Sequence, residues 1–302
     1  MKKSFKSLKK KVGDTIISLF TNFTPLFFLP DPFYNRLRYF RKTGKFLNLK
    51  NPVTYDEKIQ WHKIYNRQPH YPALADKYEV RKFVAETIGE KYLIPNFGVW
   101  NSFDEIPFDQ LPEQFVLKCT HDCGSIRICK DKNSADLKKL RRFFRRRLLG
   151  NHYWQGREWV YKNIKPRIIA EKFMAEEAGD SLKDYKIFCF NGEPKIIVVT
   201  FGKYSNKKAR NCYSPQWEYQ PVSLKVKTAP DVIIEKPKCL DEMLDLSRKL
   251  SAGMIHVRVD FYIVGENIYF GELTFHNASG FSKFDPPEWN KTFGDWMVLP
   301  EY

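Results

Sequence analysis

Apolar residues return at three- and four-residue intervals through Tyr55 to Tyr65 and again from Asp76 to Ile88, which predicts two helices. Tyr92 to Trp100 reads as a strand running into a turn. Phe115-Val116-Leu117-Lys118 is a short β-rich run, the polar stretch Thr120 to Ser125 follows, and Ile126 to Cys129 returns, so this region predicts strand, loop, strand. Helical spacing resumes with Leu137, Leu140, Phe143, Phe144 and Leu148, which share one face while basic residues take the other.

Three further β signals come later. Arg167 to Glu171 reads as one strand. Tyr185 to Phe190 and Lys195 to Thr200 flank Asn191-Gly192, whose residues tolerate the left-handed backbone of a tight hairpin turn. Val257 to Val264 and Ile268 to Leu273 flank Gly265-Glu266-Asn267. Antiparallel hairpins with interspersed helices predict an α+β fold and not a doubly wound parallel sheet.

At 302 residues the chain can form one large domain or two modest ones. Its net charge of +16 calls for a polyanionic neighbour, but the excess is local. Residues 1–50 hold twelve Lys/Arg against two Asp/Glu, the run Lys138 to Arg147 adds seven basic residues, and the remainder is nearly neutral. No zinc finger, RNP phrase or helix-turn-helix phrase accompanies the basic run, so nucleic acid is not the expected partner. A solvated helix face is the plain alternative.

Residues 1–30 join six early lysines to Ile16, Ile17, Leu19, Phe20, Phe23 and further apolar residues, broken by Asp14, Thr21, Asn22, Thr24 and Pro25. The stretch is too interrupted for a spanning helix and lacks a cleavage site for a signal peptide. It suits an amphipathic segment on an anionic membrane, and a tail or a helix packed on the domain is the competing reading. The six cysteines, without a secretion signal, indicate a reduced cytoplasmic setting. Cys119, His121, Cys123 and Cys129 lack a second ligand pair, so zinc is not expected there.

The last hairpin holds the most informative chemistry. With Gly265-Glu266-Asn267 as the loop, Val264 faces Ile268, Asp260 falls opposite Glu272, and Arg258 falls opposite Thr274. Opposed residues leave the same face about 5 Å apart, and two carboxylates so close repel unless a cation joins them. A divalent ion such as Mg²⁺ would serve. Two alternatives stay open: Asp260 simply pairs with Arg258, or a two-residue turn shifts the register by one and separates the carboxylates. Lys118, at a strand end before a turn with Gly124 and Ser125, is a second element able to set an ammonium and backbone N–H groups around phosphates. It matches neither GxxxxGK[ST] nor GxGxxG.

At these residues the sequence resembles the ATP-grasp enzymes, and more closely the TupA-like ATP-grasp amidoligases of bacterial surface-polysaccharide biosynthesis. The resemblance runs from about Leu47 to Asp285 through LNLKNPVTYDEKIQW, DKYEV, FVLKCTHDCGS, GREWVYKNIKPRIIAEKFM, DYKIFCFNGEPK, RVDFY and GELTF. It implies an ATP-grasp fold in which two α+β subdomains (113–175 and 176–302) clasp ATP, preceded by a smaller N-terminal α/β region (31–112) and the segment 1–30. It implies that Lys118 contacts the phosphates, with His121, Gly124 and Ser125 in the loop that closes over them. Glu171, Lys172, Phe173 and Met174 would form the adenine-binding hinge, and Asp184 and Lys186 would contact ribose or phosphate. Asp260 and Glu272 would hold magnesium, with Thr274 or Asn277 as the further ligand where related enzymes have Glu-x-Asn. Arg258 would steady the acyl phosphate. The loop Lys203, Lys207, Lys208 and Arg210 is a possible anion contact, Arg210 being nearest the strand.

The implied cofactors are ATP and Mg²⁺. The implied reaction is ATP-dependent ligation of a carboxylate, such as a uronic acid of a capsular, O-antigen or teichuronic-type polysaccharide or its lipid-linked precursor, to an amino acid or amino alcohol. The alternatives are a sugar kinase on the same fold and a non-enzymatic polyanion binder; a glycosyltransferase lacks its Asp-x-Asp motif. The expected location is the cytoplasm, with the inner face of the plasma membrane as the surface residues 1–30 would meet.

Overall fold

A computed structural model describes residues 29–175, 182–202 and 209–301. The basic segment, apart from Leu29 and Pro30, and the lysines 203, 207 and 208 therefore lie outside the described residues. Helices α1 (Asp31–Thr43), α2 (Tyr55–Tyr65), α3 (Tyr71–Ala75) and α4 (Val80–Thr87) precede strand β1 (Asn96–Trp100). Strands β2 (Phe115–Cys119) and β3 (Ile126–Cys129) lead to α5 (Leu137–Leu148), α6 (Tyr153–Gly156) and β4 (Ile168–Lys172). Then come β5 (Asp184–Phe190), β6 (Glu193–Phe201), β7 (Ala209–Tyr213), β8 (Tyr219–Gln220) and β9 (Ser223–Leu224). The chain closes with α7 (Leu240–Ser251), β10 (His256–Val264), β11 (Asn267–Thr274), β12 (Phe284–Asp285) and α8 (Trp289–Trp296).

The strands form a four-stranded sheet, β1-β4-β2-β3, a six-stranded sheet, β11-β10-β5-β6-β7-β8, and the small pair β12-β9. Every strand pairing in them is antiparallel, in keeping with the α+β expectation. Residues 31–112 contribute helices and the one strand β1, which is built into the four-stranded sheet beside β4. An isolated parallel bridge from Leu93 to Phe270 ties this part of the chain to β11.

The expected helix from Asp76 begins later, at Val80. The Asp76 carboxylate accepts the backbone N–H groups of Tyr78 and Glu79 at 2.7 and 3.0 Å, a local turn that competes with helix at that point. Helix α2 is secured at its start by a reciprocal capping box between Thr54 and Glu57. The Asn191-Gly192 turn forms as expected, both residues having positive φ, 50° and 83°.

The six-stranded sheet separates its two faces by strand parity. Tyr185, Ile187, Cys189, Val257, Val259 and Phe261 enter the main core, where Leu240, Met243, Leu244, Leu246 and Leu250 of α7 cover them. On the other face Phe188 and Phe190 are sealed with Tyr55 of α2 and Phe293 of α8. The same face continues past that cover into Asp184, Lys186, Arg258 and Asp260, because cross-strand pairs share a face. Helices α2 and α8 thus roof the apolar half of this face, and its charged half lies beyond them, with Asp184 and Asp260 buried. In the smaller sheet, Phe115, Leu117, Cys119, Ile168 and Ala170 pack with Phe144 of α5, so Val116, Lys118, Ile169 and Glu171 face the other way.

Among the described residues no helix is long and apolar enough to cross a membrane. All six cysteines are free thiols.

Candidate functional site

The register of β10 and β11 settles the two readings of the last hairpin by combining them. The turn has two residues, Gly265 and Glu266, so Val264 faces Asn267 and not Ile268. That one-residue shift persists to Phe261 opposite Phe270 and is then cancelled by a bulge that leaves Gly271 unpaired. Asp260 accordingly stands opposite Glu272, and Arg258 opposite Thr274. Beneath the shift is a change of parity: Ile268 and Phe270 enter the core before the bulge, Leu273 and Phe275 after it. Without the extra residue Glu272 would point into that core. A Cβ on Gly271 would lie 3.1 Å from both the Asp260 carbonyl oxygen and the Tyr262 ring, so the bulge closes tightly where glycine stands.

Arg258 is the centre of the resulting cluster. Its Nε and Nη2 donate to the two oxygens of Asp260 at 2.6 and 2.7 Å, Nη2 also reaches Glu272 Oε1 at 2.9 Å, and Nη1 donates to Asn277 Oδ1 at 2.7 Å. Lys186, directly across from Asp260 on β5, donates to Asp260 Oδ2 at 2.6 Å and lies 3.7 Å from Asp184. Burial alone would raise the pKa of Asp260, but Arg258 and Lys186 outweigh it and hold the carboxyl below its usual value. Burial likewise opposes the charge on Arg258, and Asp260 with Glu272 reverses this so that its pKa rises. Thr274 donates its hydroxyl to Glu272 at 3.1 Å.

Arg210 joins from β7. Thr200 pairs with both Asp184 and Arg210, which places all three on the charged face, and Arg210 Nε donates to Thr200 Oγ1 at 3.1 Å. Burial and then the nearby Arg258 lower the Arg210 pKa.

In the smaller sheet Lys118 donates to Glu171 Oε2, and Arg81 of α4 approaches the other carboxylate oxygen at 3.8 Å. Lys172 follows at the strand end, exposed, with its N–H donated to Pro95 at 2.9 Å; Phe173 and Met174 are half-buried. The loop 120–125 is knit together internally. Ser125 donates to Asp122, Lys77 to the Asp122 carbonyl, and the buried His121 ring contacts the Arg147 carbonyl at 3.2 Å. Gly124, at φ 87°, is the exposed left-handed residue of the loop. Of the residues expected to form a phosphate cradle, His121 and Ser125 are thus turned inward, and Gly124 is exposed. Cys123, at the exposed tip of the loop, has its pKa raised, first by desolvation and then by the charge of Glu272. Tyr161 feels Glu272 and Arg258 together with Glu158 and Cys123.

A magnesium ion fits the carboxylates in one mode. Among the described residues no three His, Cys, Asp or Glu side chains gather as a metal cluster. Asp260 and Glu272 would supply two hard oxygen donors, Glu272 from a side chain 41% exposed and Asp260 by sharing oxygens that accept from Arg258 and Lys186, with phosphate oxygens and water as the remaining ligands. Thr274 and Asn277 are adjacent but already bonded to Glu272 and Arg258.

Sequence reasoning missed several supports. Arg81, Lys77 and Thr200 reach the site only through tertiary packing. A second set holds the turn after β11, where Ala278, Ser279 and Gly280 all take left-handed φ of 50°, 57° and 68°. Gln60 of α2 donates to the carbonyls of Ser279 and Gly280 at 3.0 and 2.9 Å. The fully buried Lys63 donates to Ser279 O, Ser279 Oγ and Gly156 O at 2.7, 2.9 and 3.1 Å. This turn begins at Asn277, the partner of Arg258. Within DEKIQW the one local signal was Gln60, an amide on a buried position of α2 that a purely amphipathic helix would give to Leu or Ile.

Among solved structures the chain is similar to D-alanine–D-alanine ligase from Bacillus anthracis in complex with ATP, at 14% identity and a TM-score of 0.43, covering 74% of this chain and 63% of that one. It is also similar to a RimK domain ATP-grasp protein from Sphaerobacter thermophilus, at 10% identity and 0.42, covering 83% and 72%. A third is the D-cycloserine synthetase DcsG, at 12% and 0.41, covering 76% and 70%. No curated protein matches. The family model described as TupA-like ATPgrasp matches residues 57–298, from the first turn of α2 to just beyond α8, and the chain belongs to that family.

Proposed function

We propose that the protein joins a carboxylate to an amine at the expense of ATP, through an acyl phosphate. The observation that carries this reading is the Arg258 guanidinium, held by Asp260, Glu272 and Asn277 beside Lys186. Such a cluster offers fixed positive charge for an oxyanion and fixed carboxylates for a metal bound to phosphates. Lys118 and Lys186 are each paired with a carboxylate before any nucleotide arrives, so their ammonium groups are oriented in advance. Magnesium on Asp260 and Glu272 would neutralise phosphate charge. The carboxylate substrate attacks the γ-phosphorus and ADP leaves; the amine then attacks the acyl carbon, the C–N bond forms and phosphate departs. Arg258 holds the charge that grows on the carbonyl oxygen in that second step.

The favoured carboxylate is a uronic acid of a surface polysaccharide or its lipid-linked precursor, and the favoured amine an amino acid or amino alcohol. Incubation with ATP, Mg²⁺, glucuronate or galacturonate acceptors and a panel of amines should give amine-dependent ADP release. Hydroxylamine should trap the intermediate as a hydroxamate. ADP release without hydroxamate would mark a sugar kinase instead, and neither signal across the panel would sink the ligase reading. Residues 1–30 are proposed as a contact with an anionic membrane; their removal should abolish binding to phosphatidylglycerol vesicles and leave ATP turnover intact.

A further inference from the structure

A second charged site lies behind the smaller sheet, on the face away from Lys118 and Glu171. There α5 and the β2–β3 hairpin enclose an open cavity of about 840 Å³. Six cations line it: Arg127, Lys130, Lys139, Arg142, Arg146 and Arg147. Leu140 and Phe143 give it an apolar wall, and Arg127 stacks on the Phe143 ring at 3.4 Å. Two acids share the lining and are both engaged locally: Asp136 caps α5 by accepting the Lys139 N–H at 2.9 Å, and Asp131 accepts the Asn133 N–H at 2.9 Å. Among the described residues Lys139, Arg142 and Arg146 have no acidic partner within 4.0 Å.

We infer that this cavity binds a stretch of acidic oligosaccharide, a chain bearing carboxylates at regular short intervals. Three observations favour this occupant. The cations converge on a concavity, where their mutual repulsion is unrelieved until anions enter. Lys139, Arg142 and Arg146 repeat every three to four residues along one side of a helix, a rise of about 5–6 Å per step, so they present a row and not a point. Leu140 gives the wall a small apolar patch that suits the C–H face of a sugar, while the Phe143 ring is already covered by Arg127, so no ring is left open for a base to stack on. Lys138 and Arg145 of the same helix are exposed and stand outside the cavity lining.

One end of the cavity meets the loop described above. Arg147 lines the cavity, its carbonyl contacts His121 and its Nε lies 3.6 Å from Asp122. A polyanion that draws on Arg147 therefore competes with Asp122, and the loop over Gly124 feels its presence.

The test is fluorescence anisotropy with a labelled oligogalacturonate on the full chain, comparing two double variants that remove the same charge. Arg142→Ala with Arg146→Ala empties the cavity side; Lys138→Ala with Arg145→Ala strips the outward side. The expected result is a loss of about tenfold or more for the first pair and about threefold or less for the second, as several charge-assisted contacts differ from long-range attraction. Circular dichroism and unchanged basal ATP turnover check that both variants fold. Equal losses, no loss, or no oligogalacturonate binding by the parent chain would overturn the inference. So would cavity-side losses confined to phosphatidylglycerol vesicles or to single-stranded DNA.

Discussion

Glu171 in the smaller sheet and Asp260 in the larger are both nearly buried carboxylates answered by a lysine from the neighbouring strand, yet their surroundings differ in kind. Glu171 has one close cation, Lys118, and a more distant Arg81. Asp260 is gripped by both arms of Arg258 and by Lys186, and Arg258 is shared onward with Glu272 and Asn277. The first is a pair, whose lysine can turn to an incoming phosphate by giving up one bond. The second is a network in which two carboxylates and two cations already balance around the buried Asp260, so removing that carboxylate leaves two cations unsatisfied at once. The difference teaches that loss of function should outweigh loss of stability at Lys118, and that the two should coincide at Asp260.

The most severe way to break the larger network is to delete Gly271. Without the bulge, either Glu272 or the Leu273–Phe275 pair must reverse faces, and the expected outcome is an insoluble or molten chain, read by loss of near-ultraviolet circular dichroism. Asp260→Asn comes next. It leaves Arg258 and Lys186 buried beside a neutral amide, so denaturant titration should show a loss of about 3 kcal/mol together with lost ATP turnover. Stability within about 1 kcal/mol of the parent would show that the network is not acting as a unit.

The reach of sequence reasoning is clearest at this hairpin. The pairing of Asp260 with Glu272 was readable, but from a three-residue loop that does not form; a two-residue turn and a bulge restore the same register. The bulge itself is written in the apolar pattern, since Ile268 and Phe270 are even-numbered and Leu273 and Phe275 odd. The amphipathic period of α7, Leu240, Met243, Leu244 and Leu250, was equally available. Arg81 on Glu171 and Lys63 under Ser279 were not, because nothing local marks a contact made across 90 or 216 residues. The diagonal contact of Lys118 with Glu171, where Lys118 faces Ile169 and Val116 faces Glu171, needed the β2–β4 register, which neither strand specifies alone.

Lys118→Met should sharpen the comparison from the other side. The variant should fold, with a stability cost of about 1–3 kcal/mol for the uncompensated Glu171, and should bind ATP at least about tenfold more weakly by calorimetry. Glu272→Gln is the milder counterpart. Its half-exposed side chain makes the stability cost about 1 kcal/mol or less, while the magnesium dependence of turnover should shift to much higher concentration.

The smallest effect is a pH trend centred on the larger sheet. Burial lowers His62 to about 3 and His256 to about 4, whose ring also bonds Tyr55 at 3.0 Å. The unfolded chain takes up those protons first, so their stabilisation is complete above about pH 6.5 and fades as pH falls toward 4. Asp56, raised by burial to about 6, opposes one of them, since the folded state keeps a proton that the unfolded state releases between 3.8 and 6. Lys63, lowered by burial to about 7, is proton-poor relative to the unfolded chain between 7 and 10.5, so its contribution improves as pH rises there. Thermal melts should thus show a higher Tm at pH 8.5 than at pH 5.5; a flat or reversed profile would show that these groups are not held neutral in the fold.

The left-handed turn at Ala278 to Gly280 has a consequence in time as well as space. Its carbonyls are held by Gln60 and Lys63, side chains made more than 200 residues earlier. A ribosome releases α2 long before the turn that α2 must grip, so α2 waits with a buried-type lysine and glutamine still in water. The Asn277 contact to Arg258 is itself short in sequence, but the turn that starts at Asn277 is gripped from α2. The surroundings of Arg258 are therefore completed only after the chain has been made past Gly280, and on the proposed function a chain cut short of that turn should not turn over ATP.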